Sequence, residues 1–370
     1  MIPLNRNLSA LTRSPIRVYT ALAKSIPDCV SLAIGEPDFD TPEPVKASAA
    51  AALEKNHTHY APNLGTPELR SAIAVLESVK PEQVLVTVGA TQALFTALLG
   101  ILNPGEEVIV PTPAFTLYES IIAIAGAKLV PLDISKTDFQ IDEAALESLI
   151  TPRTKAILLN SPNNPTGVIL NEGSLSAVKR CVLGKDIFVI CDNVYQGLRY
   201  APCPDLSKDE DLREQMILCQ SFSKPWAMTG WRVGYLICPE YVMDRLLLLS
   251  SATITAVPTF IQEAAVTALQ TDPEDMRQAY RNRRDYVCGR LRDMGLSFPE
   301  PEGAFYVFAD IRRFGLCSDE FCTRLIREAK VAVVPGSCFG TEGYIRISYC
   351  YSDPELEEGL NRLERFIATL

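Results

Sequence analysis

Residues Lys155-Ala156-Ile157-Leu158-Leu159-Asn160 run straight into Ser161-Pro162-Asn163-Asn164-Pro165-Thr166-Gly167. A short, mostly apolar run suits a strand buried on both faces, and the Pro/Asn-rich turn stops it abruptly. The same texture recurs on either side, with strand-like runs at 84–88, 107–110, 128–132, 187–191, 216–220 and 232–237. Between them, residues 91–102, 117–125, 142–149 and 172–183 carry helical patterns. Such alternation predicts an α/β fold: a seven-stranded, mainly parallel sheet covered by helices.

Beyond Thr271-Asp272-Pro273 the pattern changes. A long charged helix is expected over 275–294, then β-like runs at 305–309, 331–334 and 344–349, and a closing helix over 354–367. That reads as a smaller α+β domain. The first 40 residues, rich in Pro and broken by turns, are expected to pack with it. The division expected is therefore 41–272 for a large cofactor-binding domain, and 1–40 with 273–370 for a small one.

A net charge of −10 over 370 residues disfavours non-specific nucleic-acid binding and docking on anionic membranes. The 11 cysteines are scattered through apolar runs without a Cys-x-x-Cys pair, so no metal site is expected and the thiols read as buried and reduced. Residues 1–14 lack an apolar signal core, and polar residues inside 245–257 mark a core helix rather than a bilayer span. A soluble, cytoplasmic protein is the expectation.

In sheets of this kind ligands bind beyond the carboxyl ends of the strands. Five segments sit at expected strand ends: Gly89-Ala90-Thr91, Phe115, the turn 160–167, Asp192-Asn193-Val194-Tyr195, and Ser221-Phe222-Ser223-Lys224. Gly89-Ala90-Thr91 opens a helix, whose free amides favour an anion, although Thr91 also fits a simple cap. Asp192 after an apolar strand is costly unless paired, and such a carboxylate would keep a pyridine nitrogen protonated; a capping aspartate is the alternative. Lys224 ends an apolar strand, where an amine deprotonates and forms imines readily. Two hydroxyls beside it, with Arg232 from Thr229-Gly230-Trp231-Arg232-Val233-Gly234, suit a phosphate. The turn offers an amide donor, or is simply a tight loop. Arg346, within an expected strand, should be exposed or paired, and guanidinium geometry suits a carboxylate.

In this order, Asn-Pro-Thr-Gly, Asp-x-x-Tyr, Ser-x-Ser-Lys and Gly-Trp-Arg-x-Gly resemble the class I/II aminotransferases of fold type I, from about Ser14 to Phe366. The resemblance implies pyridoxal 5'-phosphate held as a Schiff base on Lys224, which would also shuttle the proton. Asp192 would pair with the pyridine nitrogen, and Tyr195 and Asn164 would bond the phenolic oxygen. Phe115 would stack on the ring, while Ala90, Thr91, Ser221, Ser223 and Arg232 would hold the phosphate. Arg346, with Asn164 and the backbone of Gly35, would take the substrate carboxylate. Tyr60 would reach a neighbouring subunit's phosphate, which implies a homodimer with shared sites. Three departures stand out: Asn193 where the family has Glu, Phe115 where many relatives have Tyr, and a short segment at 72–83.

The resemblance implies ping-pong transfer of an amino group from an L-amino acid to a 2-oxo acid, aspartate with 2-oxoglutarate leading and aromatic or neutral amino acids close behind. A C–S β-lyase of the same fold usually shows His at the place of Tyr195 and lacks the Trp231-Arg232 pair. A non-enzymatic ligand-binding protein would not require Lys224, Asp192 and Arg346 together. A dicarboxylic substrate needs a second cation, and none lies between Thr112 and Ala127. Arg17, Lys24 or a residue of a partner subunit are the remaining sources.

Overall fold

The computed structural model describes Ile2, Asn5, Asn7, Leu8, Leu11 and residues 15–370. The expectations for the rest of 1–14, Ser14 included, lie outside the described residues. The chain enters with α1 (Pro15–Lys24) and the short β1 (Val30–Ser31). The segment read as turns and prolines thus holds a helix, whose side chains pack on later parts of the chain. Then come α2 (Glu43–Glu54), α3 (Pro67–Glu77), β2 (Val84–Thr87) and α4 (Gly89–Ile101). A repeating succession follows: β3 (Glu107–Thr112), α5 (Leu117–Ile124), β4 (Lys128–Asp133), α6 (Glu143–Leu149), β5 (Thr154–Asn160) and α7 (Glu172–Val182). It ends with β6 (Phe188–Asp192), β7 (Met216–Ser221) and β8 (Gly234–Ile237).

These seven strands form one sheet in the order β2-β8-β7-β6-β5-β3-β4. Only β8 runs antiparallel to its neighbours, β2 and β7. Strand alternation explains the apolar runs. Val86, Ile109, Ile157, Val189 and Leu218 face one buried cluster, and Leu85, Val108, Leu158, Ile190 and Ile217 face another. In β2, β3, β5, β6 and β7 both faces are largely covered, so most positions are apolar until the strand nears its end, while the edge strand β4 is partly exposed.

The expected strand at 232–237 starts two residues late, because Arg232 has φ 54 and cannot join the ladder. Asp192, expected after its strand, is the last residue within it. The helix placed at 245–257 is α8 (Glu240–Ile254), and α9 (Thr259–Leu269) follows. After α10 (Glu274–Asp293) come β9 (Tyr306–Asp310) and α11 (Ser318–Ala329). The run at 331–334 divides into β10 (Val331–Ala332), parallel to β1, and β11 (Val334–Pro335), antiparallel to β12 (Tyr344–Ser348). The β1–β10 pairing ties the N-terminal segment to the C-terminal part, and α12 (Asp353–Ile367) closes the chain.

One buried charge braces the large sheet. Glu77, at the end of α3, accepts from the Tyr235 hydroxyl on β8 at 2.6 Å and from the Lys208 ammonium. Removing one donor leaves a buried carboxylate short of a partner. Tyr235→Phe should therefore lower the unfolding free energy by about 1–3 kcal/mol in urea titrations; a change below roughly 0.5 kcal/mol, the size of an ordinary surface substitution, would mean the brace carries no weight.

Candidate active site

The carboxyl ends of β2, β5, β6 and β7 meet the start of β8 at one rim, where a cavity of about 620 Å³ opens. That lies within the size range of small-molecule sites. At one end α4 begins at Gly89 with no side-chain cap, so its first-turn amides lack helical partners. Thr91 stands inside that turn and caps nothing; it lines the cavity with Ala90. Gly89 adopts φ +72, and a Cβ there would lie 2.8 Å from Arg232 Nη2. Glycine thus lets the guanidinium close on the helix start. Arg232 donates to Thr229 O at 2.9 Å and reaches Val88 O at 3.5 Å. Beside it the Ser221 hydroxyl donates to Ser223 Oγ at 2.9 Å. Helix amides, two hydroxyls and a guanidinium make a cradle for a phosphate-sized anion.

Deeper in the rim Asp192 is 3% exposed and has no cation partner among the described residues. Its Oδ2 accepts from the Tyr118 hydroxyl at 2.6 Å, and its Oδ1 from the Val194 amide at 3.4 Å. No helix starts at Asp192, so the capping alternative fails. Burial pushes its carboxyl up to about 6, against the pull of those two donors. Asn160, ending β5, donates to Asp192 O at 2.8 Å and accepts from the Asn164 amide at 2.9 Å. The Asn/Pro turn is thereby fixed to the neighbouring strand. Phe115 lies at the cavity edge-on to Tyr118, with ring centroids 5.8 Å apart. Tyr195 shares a 2.8 Å hydrogen bond with the Tyr306 hydroxyl, and both rings are buried.

Lys224 follows β7 and donates to Gly35 O at 2.6 Å. Burial lowers its pKa to about 8, so roughly a tenth of the amine is neutral at pH 7. Arg346 on β12 is neither exposed nor ion-paired, contrary to the expectation for a strand arginine. It is 2% exposed, lies 4.4 Å over the Tyr306 ring and 5.0 Å from that of Phe339, and its Nε has no hydrogen-bond partner. Its Nη1 donates to Asn164 Oδ1 at 2.8 Å and its Nη2 to Ala33 O. A Cβ on Gly35 would fall 1.8 Å from the Tyr306 hydroxyl, so only glycine fits between Lys224's acceptor and that ring. The rim thus gathers Gly35, Ala90, Thr91, Phe115, Asn164, Asp192, Tyr195, Ser221, Ser223, Lys224, Arg232 and Arg346 around one cavity. Tyr60 is not among its walls and is 92% exposed.

Residues 27–363 match the family described as aminotransferase class I and II. The chain belongs to this family. It is 39% identical to an aromatic-amino-acid aminotransferase 2 of Thermococcus litoralis and to an aspartate aminotransferase of Pyrococcus abyssi, in each case over 98% of both chains. The aspartate aminotransferase of Thermus thermophilus, solved with maleate, superposes with a TM-score of 0.94 at 37% identity, over 99% of this chain and 100% of that one. The fold and the amino-transfer activity are therefore those of a class I and II aminotransferase.

Sequence reasoning missed Tyr118 and Tyr306. Tyr118 sits in the apolar helix α5 and Tyr306 in an apolar strand, where tyrosines read as core. Their hydroxyls matter because Asp192 and Tyr195 each need a buried partner. The carboxyl of Asp192 generates a prediction for the ligand-free protein. Its pKa is about 6 when folded and about 3.9 when unfolded, so the folded state holds the proton more tightly. Its contribution to stability is fully present below about pH 4 and is lost as pH rises through 6. Asp192→Asn removes this titration. Its stability relative to wild type should climb between about pH 4 and 7 in denaturant titrations, and a flat difference would show that the burial is not felt.

Proposed function

We propose that this aminotransferase uses pyridoxal 5'-phosphate and exchanges an amino group between an L-amino acid and a 2-oxo acid in alternating half-reactions at this cavity. When bound, the cofactor supplies an aldehyde that takes up the amine and a ring that disperses charge from the α-carbon. The residues fit it: the α4 amides with Ser221, Ser223 and Arg232 for its phosphate, Asp192 for its pyridine nitrogen, Tyr195 and Asn164 for its phenolic oxygen, and Phe115 for its ring face.

The observation that carries the reading is Arg346. A guanidinium 2% exposed, flanked by two aromatic rings and lacking any carboxylate among the described residues, is costly as it stands. An amino-acid carboxylate would satisfy it. Lys224, on the same wall, is the amine that would hold the aldehyde and, once freed, the base that moves the proton at the substrate α-carbon. Its lowered pKa suits both tasks. Asp192 would stay ionised beside a cationic nitrogen, since an adjacent positive charge favours the carboxylate.

Aspartate with 2-oxoglutarate is the leading substrate pair, and aromatic or neutral amino acids are the alternative. The relatives named above divide the same way, and the Thermus neighbour carries maleate, a dicarboxylate. We place the cofactor on a large domain, residues 41–272, and the carboxylate clamp on a small one, 1–40 with 273–370. The working unit in this reading is a cytoplasmic homodimer, with Tyr60 entering the neighbouring site. In support, the Tyr60 loop is tied to α8 through Asn63 donating to Ser251 at 2.8 Å, and α8 exposes Leu248.

Two variants test the reading. Lys224→Ala should keep the fold and lose turnover, and wild-type turnover would refute its role. Arg346→Ala should raise KM for every amino acid by roughly 30-fold or more, the cost of a lost buried charge pair. An unchanged KM moves the carboxylate site elsewhere.

A further inference from the structure

Tyr195 carries a single O–H, and the reading above commits that proton to the phenolic oxygen of the cofactor. The Tyr195 hydroxyl also lies 2.8 Å from that of Tyr306, and in the chain alone either oxygen can donate. Once Tyr195 donates elsewhere, the bond between the two survives only if Tyr306 supplies the proton. A hydroxyl offers one donor and two acceptor lone pairs, so Tyr195 can accept from Tyr306 and donate onward at the same time.

The surroundings of Tyr306 suit a donor. Its hydroxyl has Tyr195 as its one hydrogen-bond partner among the described residues. Burial raises the pKa of both hydroxyls, and the Arg346 guanidinium, 4.4 Å over the Tyr306 ring, is the largest influence opposing that rise at Tyr306. The oxygen is also fixed in place. The Tyr306 ring meets Phe305 at 4.9 Å and stands edge-on to Tyr195 at 5.6 Å, while its backbone on β9 pairs with Ser348 of β12. Gly35 closes the remaining side.

We propose that Tyr306 is a positioning residue for amino transfer: its hydroxyl donates to Tyr195, fixes that phenol, and strengthens the hydrogen bond Tyr195 gives to the cofactor's phenolic oxygen. The inference rests on the pyridoxal 5'-phosphate reading and adds a residue to it. Hydrogen bonds in a chain polarise one another, and a low-dielectric interior enlarges the effect. The phenolic oxygen neighbours the carbon that joins Lys224, and as an anion it holds a proton on the Lys224 nitrogen. A stronger donor to that oxygen spreads its charge and lets the proton leave at lower pH. Tyr306 thus acts on the Lys224 nitrogen through Tyr195.

The test follows the visible absorbance of holoenzyme against pH, whose midpoint reports loss of that proton. Tyr306→Phe keeps the ring beneath Arg346 and removes only the hydroxyl. Arg346, Asp192, Cys350, Glu36 and Arg232 are the charged or titratable groups that act on Lys224 and the two phenols, and the substitution changes none of them. It should raise the midpoint by roughly 0.2 to 0.6 of a pH unit, the cooperative share of a hydrogen bond to a charged group. Tyr195→Phe should raise it by roughly 1 to 2 units. Tyr306→Phe added to Tyr195→Phe should shift it no further, because the middle member of the chain is gone. Loss of turnover in Tyr306→Phe should lie in kcat, with KM for amino acids within about twofold of wild type. An unmoved midpoint, a shift that persists when Tyr195 is already Phe, or a loss confined to KM overturns the assignment. Wild type that takes up no cofactor would sink the functional reading and this inference with it, whereas a normal wild-type band with an unmoved midpoint in Tyr306→Phe sinks only the role of Tyr306.

Discussion

Unbalanced charge within the protein is the constraint on which this site depends. Asp192 and Arg346 are buried, Lys224 is partly buried, and none of the three has an ion-pair partner among the described residues. Neutral donors and acceptors hold them instead: Tyr118 for Asp192, Gly35 O for Lys224, and Asn164 with Ala33 O for Arg346. Desolvation without neutralisation costs stability, and it shifts the pKa of Asp192 up and that of Lys224 down. A ligand bearing a cationic ring nitrogen, an aldehyde and a carboxylate neighbour would relieve all three. The fold supplies the rigidity that keeps the three charges apart.

That rigidity comes from the sheet. Parallel strands with both faces buried end at the same rim, so successive strand-to-helix connections deliver their polar residues to one place. The cradle at the α4 start depends on Arg232 leaving the strand in a left-handed conformation and on Gly89 making room. Arg346 arrives from a different sheet. Its three-stranded order, β11-β12-β9, also places Tyr306 beneath the guanidinium. The site is therefore a seam between the large sheet and the C-terminal part of the chain.

Much of this was legible in the sequence, for a physical reason. A polar residue at or shortly beyond the end of a dry strand is anomalous, and Asn160, Asp192 and Lys224 all stand out that way. The alternation of strands and helices likewise gave the α/β architecture. What stayed hidden lacked contrast with its surroundings. Tyr118 and Tyr306 lie in apolar helix and strand contexts, and their hydroxyl partners are 74 and 111 residues away in the chain. The burial of Arg346 contradicts the ordinary rule for strand arginines, and only tertiary structure reveals the aromatic rings on either side. Helix α1 was read as irregular because its packing partners, such as Asp319, come from the far end of the chain.

The most direct measurement is chemical. Protein reconstituted with pyridoxal 5'-phosphate is reduced with borohydride, digested, and mapped by mass spectrometry. The account predicts a pyridoxyl adduct on Lys224 as the dominant product, because that amine combines a lowered pKa with a place between the anion cradle and Arg346. A dominant adduct on another lysine, or none at all after reconstitution, would contradict the claim that Lys224 is the centre of this site.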